Sequence, residues 1–342
     1  MRLEINFNNE NPVLILKNLI AITGATGFIG QKLAAAHLAI GNEVRYLTRA
    51  NNRPIHGAES FIADVNSTSD KLLLFFKNVD IFYHCVGELK DEDVMRTTHV
   101  KGTMNLLSLL EQSRLQHQPD FHWVQLSSCG AYGKPALHPS LPRYINEEMD
   151  DNPTGEYECT KTEADSLIIA FAKKHDWFKY TIIRPTNVFG IGMRSTAIIS
   201  IAKLVKSKLF FYVASKNAIA NFVHVDDVVK AMVLSINQSK ACNQTFIVSN
   251  DCKFSDMVDT IASALQIQKP NWVVNEFLLR NLVNLIGKWI KLPISSTQID
   301  VMIRQTYYSN QKIRNTLGWA PSTSVLVQLK QYIDAIFNDK NG

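Results

Sequence analysis

The chain has no run of Lys or Arg, no long block of one charge and no interleaving of basic with aromatic residues. Its 36 basic and 31 acidic side chains are scattered and leave a net charge of +5, which argues against nucleic acid as a partner. Cysteine is sparse: Cys85, Cys129, Cys159, Cys242 and Cys252 are odd in number and lack CxxC spacing. Neither a disulfide framework nor a metal site is therefore expected, and reduced thiols suit a cytoplasmic protein. The N-terminal stretch lacks a basic segment followed by an apolar run and a small-residue cleavage site, which speaks against secretion. The most apolar stretch, 277–290, is shorter than the roughly 20 residues needed to cross a bilayer and contains Arg280 and Lys288. Within it Leu278, Leu282, Leu285, Ile286 and Trp289 recur at helical spacing, so an amphipathic helix facing the core is expected in preference to membrane contact.

What is present is the balance of a globular protein, 46% hydrophobic and 20% charged over 342 residues, enough for one large domain and a smaller one. The first half alternates β-branched runs with helical patterns: LIAIT at 19–23, EVRYLT at 43–48, FIADV at 61–65, VDIFYHCV at 79–86, FHWVQLSS at 121–128 and YTIIRP at 180–185. Strands separated by helices in this order predict an α/β fold with a doubly wound parallel sheet of Rossmann type over 18–187. Beyond 188 the pattern loosens, with FFYVA, NFVHV and QTFIVS as short strands. A smaller α/β substrate-binding part is expected over 188–342, with some segments returning to the main core.

LIAITGATGFIG places Gly24, Gly27 and Gly30 between an apolar strand and an amphipathic helix. Glycine lets the backbone approach a pyrophosphate, whose charge is drawn by the unsatisfied N–H groups and the positive end of the helix dipole. Thr26, Phe28 and Ile29 belong to the same loop. At the end of the second strand, where a carboxylate would hold the ribose 2′-OH of NAD, stand Thr48 and Arg49. A cation there suits the 2′-phosphate of NADP, which is favoured over NAD. Tyr157 and Lys161 form a YxxxK unit in a helical segment, one turn apart on one face. A nearby ammonium favours the phenolate and lowers the tyrosine pKa toward neutrality.

Taken together, these segments resemble the extended short-chain dehydrogenase/reductase family, of the NAD-dependent epimerase/dehydratase type. The likeness continues through WVQLSSCGAYG, RPTNVFG, NFVHVDDVVKAM and LGWAP, and covers about residues 18–335. It implies a catalytic set of Ser128, Tyr157 and Lys161, with Ser128 five residues before Gly133. It further implies cofactor contacts at Asp64, Val65, Val86, Gly87 and Pro185 and a substrate contact at Asn187. Cys129 and Gly130 replace the acidic pair of dehydratases and disfavour that reaction. Two further departures stand out: His99 occupies the place of a backbone-supporting asparagine, and Ala220 that of an arginine gripping a nucleotide diphosphate, for which Arg194 or Lys216 could substitute. His224, Asp226 and Asp227 read as helix-capping and domain-joining groups rather than metal ligands. The resemblance implies a nucleotide-sugar 4-ketoreductase. Its rivals are a 4-epimerase, a hydroxysteroid or flavonoid-type ketoreductase and a non-catalytic dinucleotide-binding regulator. A homodimer is implied by resemblance alone.

Overall fold

A computed structural model describes residues 2–8, 11–50, 53–114, 120–135, 139–193, 197–236, 238–286 and 295–337, with backbone alone at 2–8, 11–16 and 286. The chain opens on an antiparallel hairpin, β1 Arg2–Asn8 and β2 Asn11–Lys17, that the sequence did not lead us to expect. Next come β3 Leu19–Thr23, β4 Glu43–Thr48, β5 Glu59–Ile62, β6 Ile81–His84, β7 Phe121–Leu126, β8 Arg143–Ile145 and β9 Phe178–Pro185. The remaining strands are β10 Asn187–Phe189, β11 Tyr212–Val213, β12 Ile219–Ala220, β13 Phe222–His224, β14 Gln244–Val248, β15 Cys252–Lys253, β16 Val273–Val274 and β17 Thr306–Tyr308.

Seven strands form one parallel sheet in the order β14-β9-β7-β6-β3-β4-β5. The six expected strands all lie in it. The seventh, β14, comes from QTFIVS and pairs with β9 from Gln244 opposite Thr181 to Val248 opposite Pro185. A short, β-branched segment of the C-terminal half thus completes the large sheet, because the edge of β9 would otherwise leave its backbone groups unpaired. All of β3 is buried, as befits a central strand covered on both faces.

One face of the sheet is covered by helices α1 Phe28–Ala39, α7 Val225–Leu234 and α11 Gln311–Leu317, which share a core including Ile22, Leu33, Val228, Met232 and Trp319. The other face carries α2 Asp70–Phe76, α4 Gly102–Ser113 and α5 Glu156–Ala172, meeting at Phe75, Leu106, Trp123 and Ile168. There Trp123 and Phe82 meet edge to face with centroids 4.5 Å apart, a geometry that adds to the area each ring buries. Short α3 Glu92–Arg96 leads through a π-helical turn, Thr97–Lys101, into α4. A second core joins α6 Ala197–Lys206, α8 Phe254–Ala264 and α12 Val325–Phe337 through Ile198, Val258, Leu329 and Tyr332.

Asp227 fastens the C-terminal segments to the main domain. Its carboxylate accepts from the Ser322 N–H and from Gln328 Nε2, both at 2.7 Å, and its carbonyl accepts from Trp319 Nε1 at 3.0 Å. His224 caps α7 by accepting from the Asp226 N–H at 3.3 Å.

The helix expected within 277–290 is present as α9 Glu276–Ile286, but its apolar stripe does not face the core. Leu278, Leu282 and Leu285 are 66%, 47% and 73% exposed, and Phe277 beside them is 71% exposed. The residue that packs inward is Leu279, against Val213, Ile299 and Ile303, the last two on α10 Ser296–Ile303, with Val283 partly covered. The small unit around β11 offers only enough surface for one i, i+4 pair, so the wider stripe stays outside. The Ile286 side chain and Trp289 lie outside the described residues. Among the described residues no helix is long and apolar enough to cross a membrane.

Candidate active site

The chain leaves β3 toward β4 on one side and returns to β6 on the other. A crevice therefore opens at their carboxyl ends, the usual ligand position in such sheets. Gly24, which follows β3, has φ +69°, and a Cβ there would stand 2.6 Å from the Cys85 carbonyl carbon and 2.7 Å from the Val86 nitrogen. Only glycine allows this turn to press against the peptide after β6. A Cβ on Gly30 would collide with the Gly24 carbonyl and come within 2.7 Å of Ala25 Cα. Gly27 is the N-cap of α1, with no side-chain cap and no acidic residue in the first turn, so the helix presents its positive end unopposed. This cradle fits a dinucleotide pyrophosphate. Thr26 anchors the loop by accepting from Gln31 Nε2 at 3.0 Å. Ile29 packs against the core of the α1 face. Phe28 lies against the loop after β10, where a Cβ on Gly190 would be 3.4 Å from its ring. Val86 and Gly87 follow β6: Val86 packs partly buried against the core on the α4 face, and a Cβ on Gly87 would stand 3.6 Å from His99 Nε2.

The Thr48 hydroxyl, at the end of β4, turns inward and donates to the Ala50 carbonyl at 2.7 Å. Arg49 is exposed, and its charge helps to hold the Glu88 carboxyl below the usual range, after the backbone N–H groups of Lys90, Asp91 and Leu89. Asp64 is committed locally, accepting from the Asn66 N–H at 2.9 Å and from Asn66 Nδ2 at 3.0 Å. Val65 is buried under α4, its carbonyl accepting from Asn105 Nδ2 at 2.7 Å.

Ser128 follows β7 in extended backbone and starts a tight turn, its hydroxyl accepting from the Gly130 N–H at 3.0 Å. A Cβ on Gly130 would strike Glu158 Cγ, which sets the Ser128 turn directly against the first turn of α5. Tyr157, next to Glu158, is half-buried there, and Lys161 one turn later is buried. Burial pushes the Lys161 ammonium down, opposed by the neighbouring Asp165 and Cys85. The Tyr157 phenol is pushed up to about 12 by burial, with Glu158 and Asp165 in support. The protein's own groups thus keep it protonated at neutral pH, opposite to the lowering expected from the ammonium alone.

Beneath the pair lies a polar network that sequence reasoning missed. Asp165, one turn after Lys161 on α5, accepts from the Ser127 hydroxyl at 2.6 Å and from Arg184 Nη2 at 3.1 Å. Arg184 also grips Asp151 with two bonds of 2.6 and 2.9 Å, and its guanidinium lies 5.0 Å over the Tyr132 ring. The i+4 spacing from Lys161 was the available signal, although the remote partner Arg184 could come only from the fold.

Pro185 ends β9, buried. Asn187 is exposed, and its Nδ2 donates to the Asn221 carbonyl at 2.9 Å. Ala220 is buried in β12. The Lys216 ammonium bonds Asn271 and lies 5.0 Å over the Tyr212 ring, while Arg194 falls outside the described residues. Among the described residues no group of three His, Cys, Asp or Glu is placed to hold a metal ion.

The model of the NAD dependent epimerase/dehydratase family matches residues 20–249. A protein of Vibrio cholerae named UDP-glucose 4-epimerase is 26% identical over 94% of this chain and 96% of its own length. Among solved structures, the UDP-glucose 4-epimerase of Thermotoga maritima with UDP-glucose superposes with a TM-score of 0.70 at 17% identity, covering 95% of this chain and all of that one. RMD from Pseudomonas aeruginosa complexed with NADPH gives 0.66 at 21% identity, over 94% of this chain and 99% of its own. Since that family model matches well over half of a chain that also carries the glycine cradle at the sheet's crevice, the chain belongs to the NAD dependent epimerase/dehydratase family, enzymes of the extended short-chain dehydrogenase/reductase type.

Proposed function

We propose that the protein reduces a ketone to a secondary alcohol on a nucleotide-activated sugar, as an NADPH-dependent 4-ketoreductase. The observation that carries this reading is geometric: Tyr157 and Lys161 stand one turn apart on α5, and the Ser128 turn packs against the first turn of that helix. Reduction of a ketone requires a proton donor at the oxygen that gains negative charge, and a protonated phenol serves that role. A bound nicotinamide would supply the hydride. Ser128 would orient the substrate oxygen toward Tyr157, and Lys161 would hold positive charge in the same pocket. Thr48 and Arg49, with no carboxylate at the end of β4, support NADPH. The nucleotide-sugar assignment draws support from the full-length relative named UDP-glucose 4-epimerase. That same relative favours a second reading, a 4-epimerase that would use these residues with tightly held NAD and no net consumption of cofactor.

Mass spectrometry of nucleotide released from the purified protein, followed by titration with NADH and NADPH, separates the two. Preference for NADPH and its consumption with a 4-keto sugar nucleotide supports the reductase. Retained NAD together with interconversion of sugar epimers replaces it with the epimerase. In either case Tyr157→Phe should cut turnover by about 10²–10⁴-fold while leaving nucleotide binding in place.

A further inference from the structure

We propose that His99 is a positioning residue whose neutral ring ties the loop beside the cofactor crevice to the helix that carries Tyr157 and Lys161. The ring sits in the π-helical turn Thr97–Lys101, buried. Its Nε2 is 2.9 Å from the Glu88 N–H, and its Nδ1 is 2.8 Å from Thr160 Oγ1 on α5. The Glu88 backbone can only donate, so Nε2 must accept and the proton must lie on Nδ1. Nδ1–H then donates to Thr160, whose hydroxyl in turn donates to the Glu156 carbonyl at 2.7 Å. Every donor in this chain has an acceptor, which selects one tautomer.

Each end of the tether holds something functional. On one side, Glu88 organises the loop after Gly87, its Oε1 accepting from the N–H groups of Leu89 and Lys90 at 2.8 Å and of Asp91 at 3.3 Å. On the other, the His99 ring stands edge-on to the Tyr157 ring, with centroids 5.6 Å apart and planes at 84°. The His99 carbonyl is fixed as well, accepting from the Thr103 hydroxyl at 2.5 Å. Burial and the nearby Lys161 charge lower the imidazole pKa to about 3, against a smaller upward pull from Glu88. The charged form would aim an N–H at the Glu88 N–H and break the tether.

This assignment rests on Tyr157 acting in the proposed reaction, so its test includes measurements that need no substrate. Imidazole ¹⁵N spectra of the protein should show Nδ1 protonated and Nε2 bare at neutral pH; a proton on Nε2 would overturn the proposal. Two half-replacements divide the ring. His99→Asn keeps a donor near the Nδ1 position and loses the Nε2 acceptor, whereas His99→Gln can place an acceptor near Nε2 and loses the bond to Thr160. Nucleotide affinity should fall about tenfold in His99→Asn and stay within about threefold in His99→Gln. Conversely, kcat should fall about tenfold in His99→Gln with substrate KM unchanged. If the two variants lose nucleotide affinity and kcat equally, or lose neither, His99 does not couple the two sides. A wrong choice of substrate leaves the spectra and the nucleotide titrations readable.

Discussion

Lowering the pH from about 7.5 to about 5.5 should destabilise this protein through histidines that the fold holds neutral, His37, His84 and His99 among them. His37, His84 and His99 are all buried, and burial lowers the first to about 4, the second well below its ordinary value and the third to about 3. Their hydrogen bonds fit the neutral ring. His37 Nδ1 is 3.0 Å from Asn42 Nδ2 and its Nε2 is 2.9 Å from the Tyr83 hydroxyl. His84 lies 2.7 Å from the Thr23 hydroxyl and 3.2 Å from that of Thr103. In the unfolded chain each takes up a proton near pH 6.5, but in the fold none does until far lower pH. The unfolded state therefore binds more protons as pH falls, so the stability present above about pH 6.5 is lost progressively toward the folded values. Over the stated interval His37 and His99 each cost about 1.4 kcal/mol, together about 3 kcal/mol, and His84 adds in the same direction; this is a large share of the roughly 5–15 kcal/mol of a typical protein. Asp165, Glu147 and Asp251, whose carboxyls burial raises, take up protons in the fold first and offset part of the loss at lower pH. Urea denaturation at both pH values measures the change directly. His99→Asn should reduce the pH dependence by about 1.4 kcal/mol, the share of one histidine. Equal unfolding free energies at the two pH values would refute the argument.

Two further substitutions probe the crevice and its foundation. Gly24→Ala forces a left-handed backbone on a residue with a Cβ and drives that Cβ into the Cys85–Val86 peptide. It should lower stability by about 1–3 kcal/mol and abolish measurable nucleotide binding, checked by melting temperature and titration; unaltered affinity would remove the loop from the cofactor site. Arg184→Met strips the buried Asp165 of its cation and frees Asp151, so unfolding should become easier by about 3–5 kcal/mol. The double variant with Asp165→Asn should recover part of this loss, because the buried carboxylate left without its guanidinium is gone, whereas additive losses would show that the pair does not interact.

The alternation of apolar strands with helices, the glycine spacing at Gly24, Gly27 and Gly30 and the YxxxK unit are local patterns, legible because backbone clearance and one-turn helical spacing are written in consecutive residues. They determined the Rossmann-type sheet, the cradle at the start of α1 and the shared face of Tyr157 and Lys161. Tertiary structure decided what depends on remote partners. The joining of β14 to β9, the exposure of the Leu278, Leu282 and Leu285 stripe, the Asp165–Arg184–Asp151 network and the His99 tether each require segments distant in sequence to meet. The upward push on the Tyr157 phenol depends on the fold in the same way: burial and the neighbouring Asp165 arise only when the chain packs around α5.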